Sequence, residues 1–284
     1  MEFERCGHVG TDLSEYVELF RACFPSAGKL ADPAYLRWLY AENPTGPVIG
    51  FNAREGGRLV AHYVCVPVPL ELDGKRVRAL LSLNTATHPD FQGRGLFTRL
   101  AELTYRAGAE EGARLVYGVA NANSTPGFVR KLGFALVAPL EARIGLGPLG
   151  RFDWERVGRA RFRLAWPAEQ LEWRLRNPAG PVRIQPLSDG SVGYVAATGR
   201  PLVHAWAQAP RPEMLHLFAR SGSLPAVRVW LGLMPAGAGR FGLYPDLPRR
   251  LRPSPLNLIV RGLDAPLAVA GDEVFFNFLD FDAF

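Results

Sequence analysis

The sequence predicts an α/β fold: a mixed, mostly antiparallel sheet flanked by helices. Three observations predict it. Between Asp12 and Ile144, helical and strand periodicities follow in the order α-α-β-β-β-turn-α-β-α-β. Asp73-Gly74 is a strong two-residue hairpin signal between apolar runs. A glycine-containing turn, Phe91-Gln92-Gly93-Arg94-Gly95, separates a strand from a helix.

The elements follow in order. Leu13, Tyr16, Val17, Phe20, Cys23 and Phe24 recur at helical spacing, with Asp12 as N-cap, Glu15 three residues on, and Pro25 as the stop. Asp32-Pro33 opens a second helix that runs to Leu39 and ends before Asn43-Pro44. Strands are expected at Val48–Asn52 and Leu59–Pro67, flanking Glu55-Gly56-Gly57, and at Val68–Leu72 and Val77–Thr87. A helix follows the glycine turn, with Leu96, Leu100, Leu103 and Ala107 on one face, closed by Gly112. Leu115–Ala120 reads as a strand, Asn121–Thr125 as a polar turn and Pro126–Leu132 as a short helix. A last strand runs from Gly133-Phe134 through Val137 and Ile144.

Gly145–Gly150 is a linker candidate, dividing the chain into residues 1–147 and 148–284. In the second part, Leu171-Glu172-Trp173 … Asn177-Pro178-Ala179-Gly180-Pro181 echoes Leu36-Arg37-Trp38 … Asn43-Pro44-Thr45-Gly46-Pro47. The echo reads as a faint internal duplication, and chance similarity in an Arg/Pro/Gly-rich chain is the competing explanation. The second copy has no counterpart of the Gln92–Gly95 turn.

Composition excludes several classes. The chain has 284 residues, 48% hydrophobic and 21% charged, which suits a globular protein with a sizeable core. Three cysteines, Cys6, Cys23 and Cys65, form no C-x-x-C and no cluster with histidine, so neither a disulfide framework nor a metal site is expected. The polar, acidic start is unlike a signal peptide, and no run of about 18 apolar residues predicts a membrane span. The expected location is therefore cytoplasmic. A net charge of +6 raises a nucleic-acid partner, and Arg151–Arg176 interleaves arginine with Trp154, Phe162 and Trp166. Lys29, Lys75 and Lys131 are the sole lysines, however, so codon bias explains the balance better.

The glycine turn carries the chemistry. A tight turn before a helix exposes backbone N–H groups that lack helical partners, and the helix dipole adds positive character. Gly93 and Gly95 permit close approach and Arg94 adds a cation, which suits a diphosphate; a structural glycine turn would look the same. Neither a G-x-G-x-x-G fingerprint nor a P-loop is present.

The run LNTATHPDFQGRGLFTRL resembles the signature of the GNAT acyltransferase superfamily, in which Q/R-x-x-G-x-G/A binds the acyl-CoA pyrophosphate. Gln92, Gly95 and Phe97 fall on the motif, and Phe97 replaces a small residue. VYGVANANSTPGFVRKLGF resembles the family's next strand, Asn turn, short helix and final G-F. The resemblance covers residues 5–145. It implies a GNAT-like sheet, with a second, smaller α+β GNAT-like half that helps build the acceptor pocket.

It also implies acetyl-CoA, or another acyl-CoA, as co-substrate. The pantetheine arm would lie along Asn84, Thr85, Ala86 and Thr87. The amides of Gln92, Gly93, Arg94, Gly95, Leu96 and Phe97 would hold the pyrophosphate, and Asn123 would lie near the CoA arm. The implied reaction is acyl transfer to a primary amine of a small molecule or peptide. The family's usual proton donor is a tyrosine in the short helix, where this chain has Phe128-Val129. Ser124, Thr125 and Tyr117 are substitutes, and His88 is a candidate base. His62 is expected to be a satisfied sheet histidine, and His204 and His216 fall in the second half. Asp280-x-Asp282 is expected to be a solvated terminus. A homodimer is compatible with the resemblance. The alternative reading is a catalytically weak or inactive acyl-CoA-binding regulatory module.

Overall fold

The computed structural model describes residues 1–6, 12–24, 26–211, 227–252 and 255–283. In chain order the first half contains β1 (Glu2–Arg5), α1 (Ser14–Cys23), α2 (Pro33–Ala41), β2 (Ile49–Glu55), β3 (Arg58–Leu72), β4 (Lys75–Thr87), α3 (Leu96–Glu110), β5 (Ala113–Ala120), α4 (Thr125–Leu132), β6 (Ala135–Pro139) and β7 (Glu141–Gly145). The second contains β8 (Gly150–Phe152), α5 (Trp154–Gly158), β9 (Phe162–Leu164), α6 (Ala168–Leu175), β10 (Arg183–Pro186), β11 (Val192–Ala197), β12 (Val203–Ala209), β13 (Val227–Leu233), β14 (Gly239–Phe241), β15 (Asn257–Gly262) and β16 (Val274–Asn277).

Local chemistry sets the helix ends. Asp32 accepts a bond from the Ala34 amide at 2.9 Å, and Pro33 takes the first position of α2. Gly133, in the left-handed region at φ 66°, closes α4. At α1 the expected cap is displaced: Asp12 accepts from Ser14, while Glu15 turns to Arg54 at 2.6 Å. Arg54 competes successfully because a charged pair outweighs a capping-box bond.

Two strands expected around Pro67 are one continuous β3. Pro67 and Pro69 pair with Leu80 and Arg78 of β4. Their carbonyls point to β3's other edge, where the Asn43 side chain and the Ala165 amide donate to them at 2.7 and 3.0 Å. The missing proline N–H groups therefore face a gap between β2 and β9 where no ladder donor is required.

Among the described residues, fourteen strands form one mixed, mostly antiparallel sheet, ordered β10-β11-β12-β13-β16-β9-β3-β4-β5-β15-β6, with β2 off β3, β1 off β2 and β7 off β13. β2-β3-β4-β5 pair antiparallel, antiparallel, then parallel, and β10-β11-β12-β13 repeat that pattern. The halves exchange strands. β15 inserts between β5 and β6, and β7 pairs with β13. A cut at 147/148 thus separates each half from one strand of its own sheet, because pairing rather than chain order closes the edges.

The two echoing segments meet. The Trp38 and Trp173 rings stack 4.5 Å apart, and each indole N–H donates to the other's carbonyl, at 3.0 and 3.1 Å. Asn43 and Asn177 each accept from the amide two residues on, at 3.1 Å. Val48 N donates to Tyr40 O and Val182 N to Leu175 O, both at 3.0 Å.

Asp280 and Asp282 are not solvated. Asp282 lies between Arg174, at 3.0 Å, and Lys29, at 2.7 Å, and accepts from the Tyr35 hydroxyl. Burial raises its pKa, but Arg174 and Lys29 outweigh burial and hold it below the usual range. Arg159, Arg161, Arg163, Arg174 and Arg176 each pair with a carboxylate, so the arginine-rich stretch is not a bare basic face.

Candidate active site

β4 and β5 pair only over Arg78–Leu81 and Ala113–Tyr117. Beyond that point β5 continues against β15, while β4 bulges at Asn84 and stays with β3. Asn84 takes the left-handed region at φ 50°, which asparagine tolerates better than most residues. Gly118 sits at the fork, where an added Cβ would lie 3.4 Å from the Ser82 Cβ. The split leaves a cavity of about 530 Å³ between Ser82–Thr85 and Gly118–Asn121.

A second cavity of about 410 Å³ adjoins it, sharing Phe24, Thr85 and Phe97. It lies over the glycine turn and is lined by Thr85–Thr87, Gln92, Gly93, Gly95–Thr98 and Lys131. Gly93 and Gly95 adopt φ 76° and 74°, and nothing lies within 4 Å of where a Cβ would stand on either. The first backbone bond of α3 runs from Arg99 N to Gly95 O, so the amides of Leu96, Phe97 and Thr98 precede the helical ladder. These amides, the helix dipole and Lys131 make a cradle suited to an anionic phosphate group.

The predicted residues are distributed as follows. Asn84 and Thr85 line the larger cavity, and Thr85, Ala86 and Thr87 the smaller. Gln92 also holds the turn, its side chain donating to Thr87 O at 3.3 Å. Arg94 is not among the cavity-lining residues. It reaches Glu55 at 3.6 Å, donates to Asp90 O at 3.3 Å and covers the Phe91 ring. Lys131, which sequence reasoning missed, is the cation at the cradle; its signal was its place in the last turn of the helix after the Asn turn. Phe97 does not obstruct the turn. Its ring packs edge-on against Phe128 at 5.2 Å and Tyr63 at 6.0 Å. Asn123 lines the larger cavity.

The proton-transfer candidates fare differently. Ser124 lines the larger cavity, with Oγ held in the Asn121 turn at 3.1 Å. Thr125 donates to Asn121 O at 2.7 Å. Tyr117 is fully buried on the face of β5 that Val119 shares, among Phe162 and Phe276, and donates to Asp280 O at 2.8 Å. It does not line the cavity: its hydroxyl is committed to the Asp280 carbonyl in the core beneath. His88 caps a short turn, accepting from the Asp90 amide at 3.3 Å, and its other nitrogen meets Arg58 at 2.8 Å. It lines a small hollow with Glu15 and Glu18, outside the cleft. His62 is buried between Tyr40 and Asn52, and burial pushes its pKa down to about 3. His204 lies on β12 in the second half, and His216 lies outside the described residues. Among the described residues no cluster of His, Cys, Asp and Glu could hold a metal. No helix among them is long and apolar enough to cross a membrane.

With this geometry in view, residues 10–137 match the family described as acetyltransferase (GNAT) domain. This part of the chain matches the model of a GNAT acetyltransferase domain. GNAT domains use an acyl-CoA as donor, and the forked strands and glycine turn lie inside the matched range. The whole chain is similar in fold to a probable N-acyltransferase from Enterococcus faecalis, at 14% identity and TM-score 0.56, covering 93% of this chain and 73% of that one. It is also similar to a GCN5-related N-acetyltransferase from Anabaena variabilis, at 11% and 0.54, covering 92% and 73%. Eis1 from Mycobacterium abscessus matches at 14% and 0.52, covering 93% and 74%. These likenesses extend the GNAT fold over both halves. No curated protein is significantly similar in sequence.

Proposed function

We propose that the protein transfers an acetyl or other short acyl group from acyl-CoA to the primary amine of a small molecule or peptide. The observation that carries this reading is the continuity of two cavities: an amide cradle at Gly93–Thr98 opens directly into the fork between β4 and β5. The cradle would take the pyrophosphate, and the fork the pantetheine arm and thioester. The neutral amine attacks the thioester carbonyl, a C–N bond forms, the C–S bond breaks, and CoA leaves as the thiolate. Among the described residues, no carboxylate and no histidine lines either cavity. The amine proton therefore goes to water, and water later protonates the thiolate.

The same absence favours a second reading, an acyl-CoA-binding regulatory module. One assay separates them: CoA thiol release from acetyl-CoA with a panel of primary amines, including ethanolamine, 2-phenylethylamine and a glycine-initiated peptide. The expected result is amine-dependent release by at least one of them. Tight acetyl-CoA binding without release would support the regulatory module.

A further inference from the structure

A buried chain of hydrogen bonds ends at Asn84 in the fork. Asn52 Nδ2 donates to Tyr16 OH at 3.0 Å and faces Glu4 Oε1 at 3.4 Å. Glu4 is paired with Arg54 at 2.6 Å, and as a carboxylate it can only accept. Asn52 Oδ1 therefore faces His62, and His62 Nδ1 must carry the proton it donates, at 2.7 Å. The other ring nitrogen is then bare and accepts from Tyr40 OH at 2.8 Å. Having spent its proton, the Tyr40 oxygen accepts from Asn84 Nδ2 at 3.3 Å. The polarity of the whole chain is set at Glu4, and burial keeps His62 neutral, so the polarity does not reverse. At the end of it, Asn84 has its nitrogen turned to Tyr40 and its carboxamide oxygen unpartnered among the described residues. Asn84 lines the larger cavity.

The cavity is open to both faces of the sheet. Phe97 and Phe128 belong to the core under α3 and α4, on the side of the amide cradle. Phe24, Leu83 and Val119 pack against the core under α1 and α2, where Tyr40 and the chain lie. A donor held by the cradle would reach the fork past Phe97, which lines both cavities, leaving the Asn84 side for the molecule that meets it.

We propose that Asn84 Oδ1 accepts a hydrogen bond from the acceptor amine and turns its lone pair toward the thioester, with Tyr40, His62 and Asn52 as the positioning chain. This assignment rests on the cleft being the acyl-transfer site. Asn84 takes no proton; it orients the nucleophile, and the proton released on C–N bond formation goes to water.

The test uses steady-state kinetics of the full chain with acetyl-CoA and the fastest amine of the panel above. Asn84→Gly removes the side chain and suits the left-handed backbone. It is expected to lower kcat/KM for the amine at least tenfold while the calorimetric affinity for acetyl-CoA stays within twofold. Asn84→Asp restores an oxygen and is expected to recover at least fivefold over Asn84→Gly. Tyr40→Phe frees the amide to turn. It is expected to cost three- to tenfold in the same ratio, with little further loss when added to Asn84→Gly. A merely structural role would not produce that non-additivity. If Asn84→Gly keeps the wild-type ratio, or if its acetyl-CoA affinity falls in step, the assignment is overturned while acyl transfer stands. If the wild type acylates no amine, both fall together.

Discussion

Ser124, Thr125 and Tyr117 are the hydroxyls that sequence reasoning offered as proton donors, and the fold separates Ser124 from Tyr117. Ser124 faces the cavity but is engaged by the Asn121 turn. Ser124→Ala is therefore expected to change turnover less than about fivefold, since a real general acid contributes about 10²–10⁴. A hundredfold loss with CoA affinity intact would identify it as the acid. Tyr117→Phe removes a buried bond to the Asp280 carbonyl and is expected to cost about 1 kcal/mol in chemical denaturation, with turnover nearly unchanged. The glycine turn was legible at this scale because residue type alone reports the left-handed backbone at Gly93 and Gly95. The destination of Tyr117 was not, because its partner is 163 residues away. Long separations also hid Asp280 and Asp282, whose partners Trp166 and Arg174 lie 114 and 108 residues away. Short polar–apolar patterns at a chain end say nothing about an arginine such as Arg174 waiting on a distant helix.

Helices α2 and α6 carry the two copies of the sequence echo, and in the fold they meet. Each tryptophan supplies one face of the stack and one of the two reciprocal indole bonds. Trp38→Ala is expected to destabilise by about 3–5 kcal/mol, read as a shift in urea midpoint at constant m-value. Trp38→Ala and Trp173→Ala combined should lose less than the sum of the two, because each removes the other's partner. Strict additivity would show that the pair does not couple the halves. The order of elements was readable from periodicity. The strand exchange was not: β7 and β15 have ordinary strand patterns, and neither pattern names the partner edge. Pro67 and Pro69 misled for a related reason, since their effect depends on which edge of β3 lacks a ladder.

The whole molecule is held partly by the buried C-terminal carboxylates, and they give it a pH signature. Burial pushes the Asp280 pKa up to about 7 from its ordinary 3.8, against the pull of the Asn277 amide, Trp166 and Arg174. Between about pH 4 and 7 the folded chain keeps a proton that the unfolded chain has released, so this group's contribution falls as pH rises through that window. The limiting slope is about 1.4 kcal/mol per pH unit. Asp280→Asn does not titrate there, so stability measured as variant minus wild type is expected to rise from pH 4 to pH 8; a flat difference would show that Asp280 is not buried and protonated as described. The two halves repeat one strand-pairing pattern, yet the sequence of the second has no counterpart of the Gln92–Gly95 turn, so one donor site per chain is expected. Calorimetric titration of CoA into wild type and Gly95→Val tests this most directly. Valine at φ 74° is strained and would distort the cradle, although its Cβ would meet no atom within 4 Å. The expected result is one CoA per wild-type chain and at least tenfold weaker binding in the variant, about 1.4 kcal/mol. Two CoA per chain, or an unchanged affinity in Gly95→Val, would contradict the placement of the donor.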